Sequence, residues 1–307
     1  MIERVLLIVN TESGTGCSPA LGVALLDAFR ESDARPADIE LAIVRDHPSA
    51  RRCAKEFAAG TGRRVAVIAA GGGGTVRAAV EGVIDARAEQ RAILGALRLG
   101  SGNVLARRLG VARDPLAGIG QLSGALGVNR VHRVQVIRCD HGGDGVRHAL
   151  VMCGLGHWGR TSGDLARWHA RAGGARAAVA AVAGIERVNH AEYVAAAAMR
   201  LVESAIAPRT CELVEAAQGS STERFRLLAG AAVTGRVPGL PFDSGVVLVP
   251  RAGRPRRLSL ANGALRVTLL DRECVEFFLD EDPEVAHGAI TLELAGSIPF
   301  LTAEVAQ

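Results

Sequence analysis

The sequence predicts an α/β domain built on a parallel sheet, followed by an antiparallel, β-sandwich-like domain. Three observations predict it. Over the first third of the chain, short buried-type strands alternate with amphipathic helices, the rhythm of a parallel sheet covered on both faces. From about Asn129 that rhythm gives way to short alternating strands separated by turns, the pattern of antiparallel pairing. The length of 307 residues, with 49% apolar and 22% charged, suits two hydrophobic cores and excludes a disordered chain.

Taken in order, Arg4 to Val9 is a run of Val, Leu and Ile that ends in the polar turn N-T-E-S-G-T-G, and a helix follows from about Pro19 to Arg30. Ile39 to Val44 is a second strand and Ser49 to Ala59 a second helix. Arg64 to Ala70 is a third strand that runs straight into four glycines, with Thr75 to Ala86 helical after it. Ile93 to Leu99 is a fourth strand, closed by G-S-G-N, and V-L-A-R-R-L-G continues as helix. Three of these four strands end in turns rich in Gly, Ser, Thr or Asn. In such sheets ligands bind beyond the carboxyl ends of the strands, so the ligand edge is marked. The second domain opens with R-V-H-R-V-Q-V-I-R-C and V-R-H-A-L-V-M-C-G-L-G, paired across the turn D-H-G-G-D-G. Ala175 to Ala207 reads as helical, and the strands R-F-R-L-L-A-G-A-A-V, G-V-V-L-V-P, A-L-R-V-T-L-L, V-E-F-F-L-D and A-I-T-L-E-L follow. Expected boundaries are 1–127 and 128–290, with 291–307 returning to the first domain.

Composition narrows the function. Aromatic residues make up 3%, too few for the stacking platforms of single-stranded nucleic-acid binders. The net charge of +4 is mild, and Lys55 is the single lysine, so side-chain contacts to phosphate fall to arginine. Cysteines 17, 53, 139, 153, 211 and 274 lie far apart with no C-x-x-C pair, which fits reduced, buried thiols in the cytoplasm. Cys153 and His157 are close in sequence, but two ligands do not make a zinc site. The N-terminal apolar run is too short for a signal peptide, and charges interrupt the Ala-rich stretch, so no spanning helix is expected. A lipid substrate would be met from the water side, with at most peripheral membrane contact. A homodimer is compatible with the sequence.

Gly71-Gly72-Gly73-Gly74-Thr75, between strand and helix, carries the strongest chemistry. Small residues let the backbone approach a ligand, and successive N–H groups at a helix start form an anion-binding nest, for which positive φ is expected. Thr75 adds a hydroxyl. A flexible turn with an N-cap is the other reading of the same residues. No lysine follows, so the segment is not a Walker loop, and S-G-T-G lacks the third glycine of the dinucleotide fingerprint.

These segments resemble the diacylglycerol kinase and sphingosine kinase catalytic family. V-L-L-I-V-N-T-E-S-G-T-G is similar to its opening strand and N-P-x-S-G turn, and V-A-V-I-A-A-G-G-G-G-T to its strand and G-G-D-G-T turn. L-R-L-G-S-G-N-V-L-A is similar to its P-x-G-[ST]-x-N-x-x-A segment. L-P-F-D-S-G-V-V-L-V and F-F-L-D-E-D-P-E resemble its D-D-G-x-L stretch and D-G-E motif. The resemblance is strong over the first 110 residues and looser beyond. It implies a lipid kinase with its active site in a cleft between the two domains, using ATP and Mg²⁺ to phosphorylate a hydroxyl of a lipid or lipid-like molecule. It further implies that Asn10, Ser13, Gly14, Gly71, Gly72, Gly73, Gly74, Thr75, Ser101, Gly102 and Asn103 hold the nucleotide. Asp280 and Asp282 would be the catalytic carboxylates, and Asp243 a metal ligand.

Departures from the family pattern fall where the chemistry should be. Gly73 stands for the Asp of G-G-D-G-T, and Arg77 and Ala78 for the N-E that follows. Thr11 replaces Pro, Arg45 a Thr, and Glu281 the Gly of D-G-E. Losing an acid and gaining an arginine favours anions over divalent metals. Two accounts fit: a working kinase relying on Asp280 and Asp282, or a degenerate relative that binds a nucleotide or phosphorylated ligand without transfer.

Overall fold

A computed structural model describes residues 2–13, 17–32, 38–60, 64–100, 103–143, 145–164, 167, 202, 211–235, 244–280 and 282–303. The chain divides into two units, Met1–Gln135 with Gly296–Gln307, and Val136–Ala295.

The first unit follows the predicted alternation. Its elements are β1 (Arg4–Asn10), α1 (Pro19–Arg30), β2 (Asp38–Val44), α2 (His47–Ala59), β3 (Val65–Gly71), α3 (Gly73–Asp85), β4 (Ala92–Arg98), α4 (Val104–Arg108) and α5 (Pro115–Gly127). The strands lie in the order β4-β3-β1-β2, all parallel and in unbroken register. Every residue of β3 is buried, as a central strand covered on both faces requires. Three helices start on one signature, an oxygen-bearing cap followed by proline: Ser18 accepts from Leu21 N, Asp46 from Ser49 N and Asp114 from Ala117 N. Such caps satisfy an orphan amide while proline supplies the helical φ. The Asp46 cap moves the start of α2 two residues ahead of the expected Ser49. Helix α5 was not expected, because Gly118, Gly120 and Gly124 hide its pattern. Gly118 is there for space: a Cβ would lie 3.0 Å from Leu97.

The second unit is antiparallel. It holds β6 (Val146–Ala149), β7 (Met152–Leu155), a short α6 (Gly156–Gly159), β8 (Glu212–Gln218), β9 (Ser221–Val233), β10 (Gly245–Pro250), β11 (Arg256–Leu258), β12 (Leu265–Leu269), β13 (Cys274–Leu279) and β14 (Asp282–His287). The strand β5 (Val131–Asp140) enters it from the first unit, and β15 (Ala289–Leu301) leaves it again. Neighbours run β14-β13-β7-β9-β8-β12-β15, with β10 on β9 and β11 on β10. Its core gathers Phe277, Leu248, Leu265, Leu292 and Leu155, each about fully buried. Side chains of this size contribute about 1.5–3 kcal/mol each on burial. Gly154 is required by that packing, because a Cβ there would sit 2.0 Å from the Phe278 ring. The segment read as one strand from Val146 to Gly156 is two, β6 and β7, broken at Leu150 and Val151. The helix expected over Ala175 to Ala207 lies outside the described residues, apart from Val202.

The last part of β15 belongs to the first unit. Phe300 pairs with Leu94 of β4 in parallel, Thr302 N donates to Arg130 O and Ala303 N to Leu109 O.

Candidate functional site

The ligand edge of the first unit is the row of carboxyl ends of β1, β3 and β4. Asn10 closes β1, Gly71 closes β3 and Arg98 closes β4, with Gly71 and Arg98 in register. Beneath the glycine turn lies a buried polar knot. Asn10 Nδ2 donates to Thr75 Oγ1 at 3.0 Å, and Ser13 Oγ lies 3.1 Å from the same hydroxyl. Asn10 Oδ1 in turn accepts from Glu12 N at 3.1 Å, which fixes the turn after β1. Thr75 is fully buried and Asn10 nearly so. Three residues expected at the nucleotide therefore meet, and Thr75 links two loops through its side chain.

The glycines serve space rather than unusual backbone. None of Gly71 to Gly74 has positive φ, which corrects the expected nest conformation, because the chain passes from strand directly into helix. Gly72 caps α3 at φ −82°, ψ −176°, an extended geometry. A Cβ on Gly71 would strike Thr75 Oγ1 at 2.5 Å. Gly100, which the sequence reading passed over, is the tightest point: a Cβ there would lie 2.4 Å from the Cα of Gly72. The G-S-G-N turn contained that signal, since two glycine loops at one sheet edge can back directly onto each other. Asn103 holds the turn, accepting from Gly100 N at 2.9 Å and donating to Gly100 O from a left-handed backbone at φ 52°. Gly14, Ser101 and Gly102 lie outside the described residues.

The electrostatics of this edge differ from the expectation in one respect. Arg77 is buried in α3 one turn ahead of Glu81, and its charge is felt at Arg51 of α2. Arg51 bonds Asp85 at 2.7 and 2.9 Å and reaches Glu81 at 3.2 Å, so Arg77 belongs to the charge set joining α2 to α3. Positive charge comes instead from β4. Burial, and then the like charges of Arg107 and Arg113, pull the Arg98 guanidinium below its ordinary value. Mg²⁺ is held mainly by phosphates and water and asks little of a protein. Among the described residues no three His, Cys, Asp or Glu side chains gather into a metal cage.

The carboxylates expected to be catalytic lie in the second unit, at the turn from β13 to β14. Asp280 is held by backbone amides. It is buried at φ 52°, and its oxygens accept from Leu150 N at 2.6 Å, Val151 N at 2.8 Å and Met152 N at 2.9 Å. Thr234 takes the opposite side of that segment, donating from its hydroxyl to Leu150 O and from its amide to Val151 O. The break between β6 and β7 is thus built around the Asp280 carboxylate. Asp282 opens β14 and is half-buried. Asp243 lies outside the described residues. His157 meets Cys211, with Nε2 3.5 Å from Sγ, rather than Cys153. The Cys153 thiol is pushed well up by its contact with Cys139 and by burial.

Three solved structures from Bacillus anthracis str. Sterne share this fold. One, a diacylglycerol kinase, superposes with a TM-score of 0.60 at 16% identity, covering 98% of this chain and 97% of its own. Two further solved chains from the same strain give 0.62 at 16% identity, covering 98% and 97%, and 0.60 at 18% identity, covering 98% of each. No curated protein matches the sequence significantly. Residues 4–139 match the diacylglycerol kinase catalytic domain. They contain β1 to β4 and the loops that follow β1, β3 and β4, so this part of the chain is similar to the diacylglycerol kinase catalytic domain.

Proposed function

We propose that the chain is an ATP-dependent kinase that transfers the γ-phosphoryl group to a hydroxyl of a lipid or lipid-like acceptor. The observation that carries this reading is the buried Asn10–Thr75–Ser13 knot, which ties the loop after β1 to the glycine turn after β3. The match of residues 4–139 to the diacylglycerol kinase catalytic domain supports the reaction class. Phosphoryl transfer asks for a phosphate cradle, positive charge and a group to take the hydroxyl proton, with little covalent chemistry. The first amides of α3, from Gly73 to Thr75, have no partner within the helix and suit an anion, as does the helix dipole. Arg98, Arg107 and Arg113 add positive charge nearby. Mg²⁺ bound with the nucleotide would offset the phosphate charge. Asp280 is committed to backbone amides, so Asp282 is the carboxylate of the pair suited to take the proton. The roles of Gly14, Ser101, Gly102 and Asp243 rest on the resemblance alone.

A second reading, binding of a nucleotide or phosphorylated ligand without transfer, draws on Gly73, which puts no carboxylate beside the phosphates, and on the engagement of Asp280. Transfer of label from γ-labelled ATP with Mg²⁺ to a panel of hydroxylated lipids separates the two. The kinase reading expects a labelled lipid, and more of it from Gly73→Asp, with a sharper Mg²⁺ dependence. ATP binding without transfer, weakened in Gly73→Asp by charge repulsion, supports the second reading. Absence of nucleotide binding overturns both.

A further inference from the structure

We propose that the β10–β11 hairpin is a docking surface for the anionic face of a lipid bilayer, held by Arg254, Arg257 and Arg251. From Gly245 to Leu258 the chain carries four arginines and no acid. That hairpin alone equals the +4 net charge of the whole chain, so the remaining residues balance to zero. The turn from Arg251 to Pro255 is exposed at every residue, with Gly253 at φ 102° allowing the reversal. Among the described residues β11 pairs only with β10, which leaves these arginines at a margin of the sheet.

Acidic neighbours are already taken. Glu223 pairs with Arg256 at 2.7 Å, Glu215 with Arg224 at 2.6 Å and Asp271 with Arg226 at 3.0 Å. Among the described residues no carboxylate pairs with Arg254 or Arg257. Guanidinium groups bond phosphate through two parallel N–H donors, which suits phospholipid headgroups. At 3%, aromatic residues are too few for the stacking platforms that single-stranded nucleic-acid binders use. No described helix is long and apolar enough to cross a membrane, so an enzyme acting on a bilayer-resident acceptor needs a surface contact. The choice of a bilayer as partner rests on the lipid-acceptor reading above.

Sedimentation of the full chain with phosphatidylcholine vesicles, with and without phosphatidylserine and without ATP, tests the surface. The wild type should bind only the vesicles containing phosphatidylserine, and less as salt rises. Each arginine near the surface is worth roughly a fivefold change in partition, so the Arg254→Ala, Arg257→Ala double variant should bind roughly 25-fold less with an unchanged melting temperature. Equal binding to neutral vesicles, undiminished binding by the double variant, or equally tight binding to duplex DNA would overturn the proposal. Vesicle binding without any phosphoryl transfer keeps this surface and removes only the kinase reading. Transfer to a lipid in detergent micelles without vesicle binding does the reverse.

Discussion

The Thr75 hydroxyl is bonded on two sides, by Asn10 and by Ser13, so removing it strands two buried polar groups rather than one. Thr75→Val should therefore cost about 2–4 kcal/mol in urea denaturation, beyond the usual worth of a single bond. Thr75→Ser, which keeps the oxygen, should cost about 1 kcal/mol for the lost methyl. Equal effects of the two would show that the knot contributes nothing. Asp280 allows a cleaner separation of structure from catalysis. Three backbone amides lose their acceptor in Asp280→Ala, and the loss should reach about 3 kcal/mol. A residue that served only as a proton acceptor would leave the denaturation midpoint unmoved. The sequence made Asp280 legible as special but not as structural, since its partners lie some 130 residues away.

Among the elements, the two glycine loops make an asymmetric pair. Gly72→Ala places its Cβ 3.5 Å from Gly100, ordinary contact, and should leave the melting temperature close to wild type. Gly100→Ala drives a Cβ to 2.4 Å from the Gly72 backbone and should destabilise by about 1–3 kcal/mol. The reverse order would contradict the packing of these turns. Helix α2 carries a pH signature. Its cap Asp46 has its carboxyl held below the ordinary value of 3.8, chiefly by hydrogen bonding with the Ser49 side chain. A depressed folded value means that the cap stabilises above the ordinary carboxylate value, and that this support disappears as pH falls through the lowered one. Asp46→Asn should accordingly flatten part of the loss in urea midpoint on acidification between about pH 5 and 2. Strands β1 to β4 were legible because buried parallel strands are continuous apolar runs. Strand β14 was not expected, because its residues alternate in exposure at a sheet edge, with Val285 outward. The β6–β7 break was invisible, because a distant carboxylate makes it.

At the scale of the whole molecule, two units with different strand habits share one chain, and residues 4–139 carry the family match. All the loops expected to hold phosphate belong to the first unit. The candidate carboxylates belong to the second, so binding and transfer can be measured apart. Most of the candidate binding edge could be read from the sequence, since short glycine motifs are local. The assignment of charge could not, because the burial of Arg77 beside Arg51 and the amides that hold Asp280 arise only on folding. The central claim is that Asn10, Gly72, Thr75 and Gly100 form the edge of a nucleotide cradle. Calorimetric titration of ATP into the wild type and into Gly72→Val, each verified as folded by its melting curve, tests that claim. The wild type should bind ATP, and the valine, filling the space where phosphate approaches the α3 amides, should abolish binding. Undiminished ATP binding by Gly72→Val would contradict the cradle and reduce the glycine run to a tight turn.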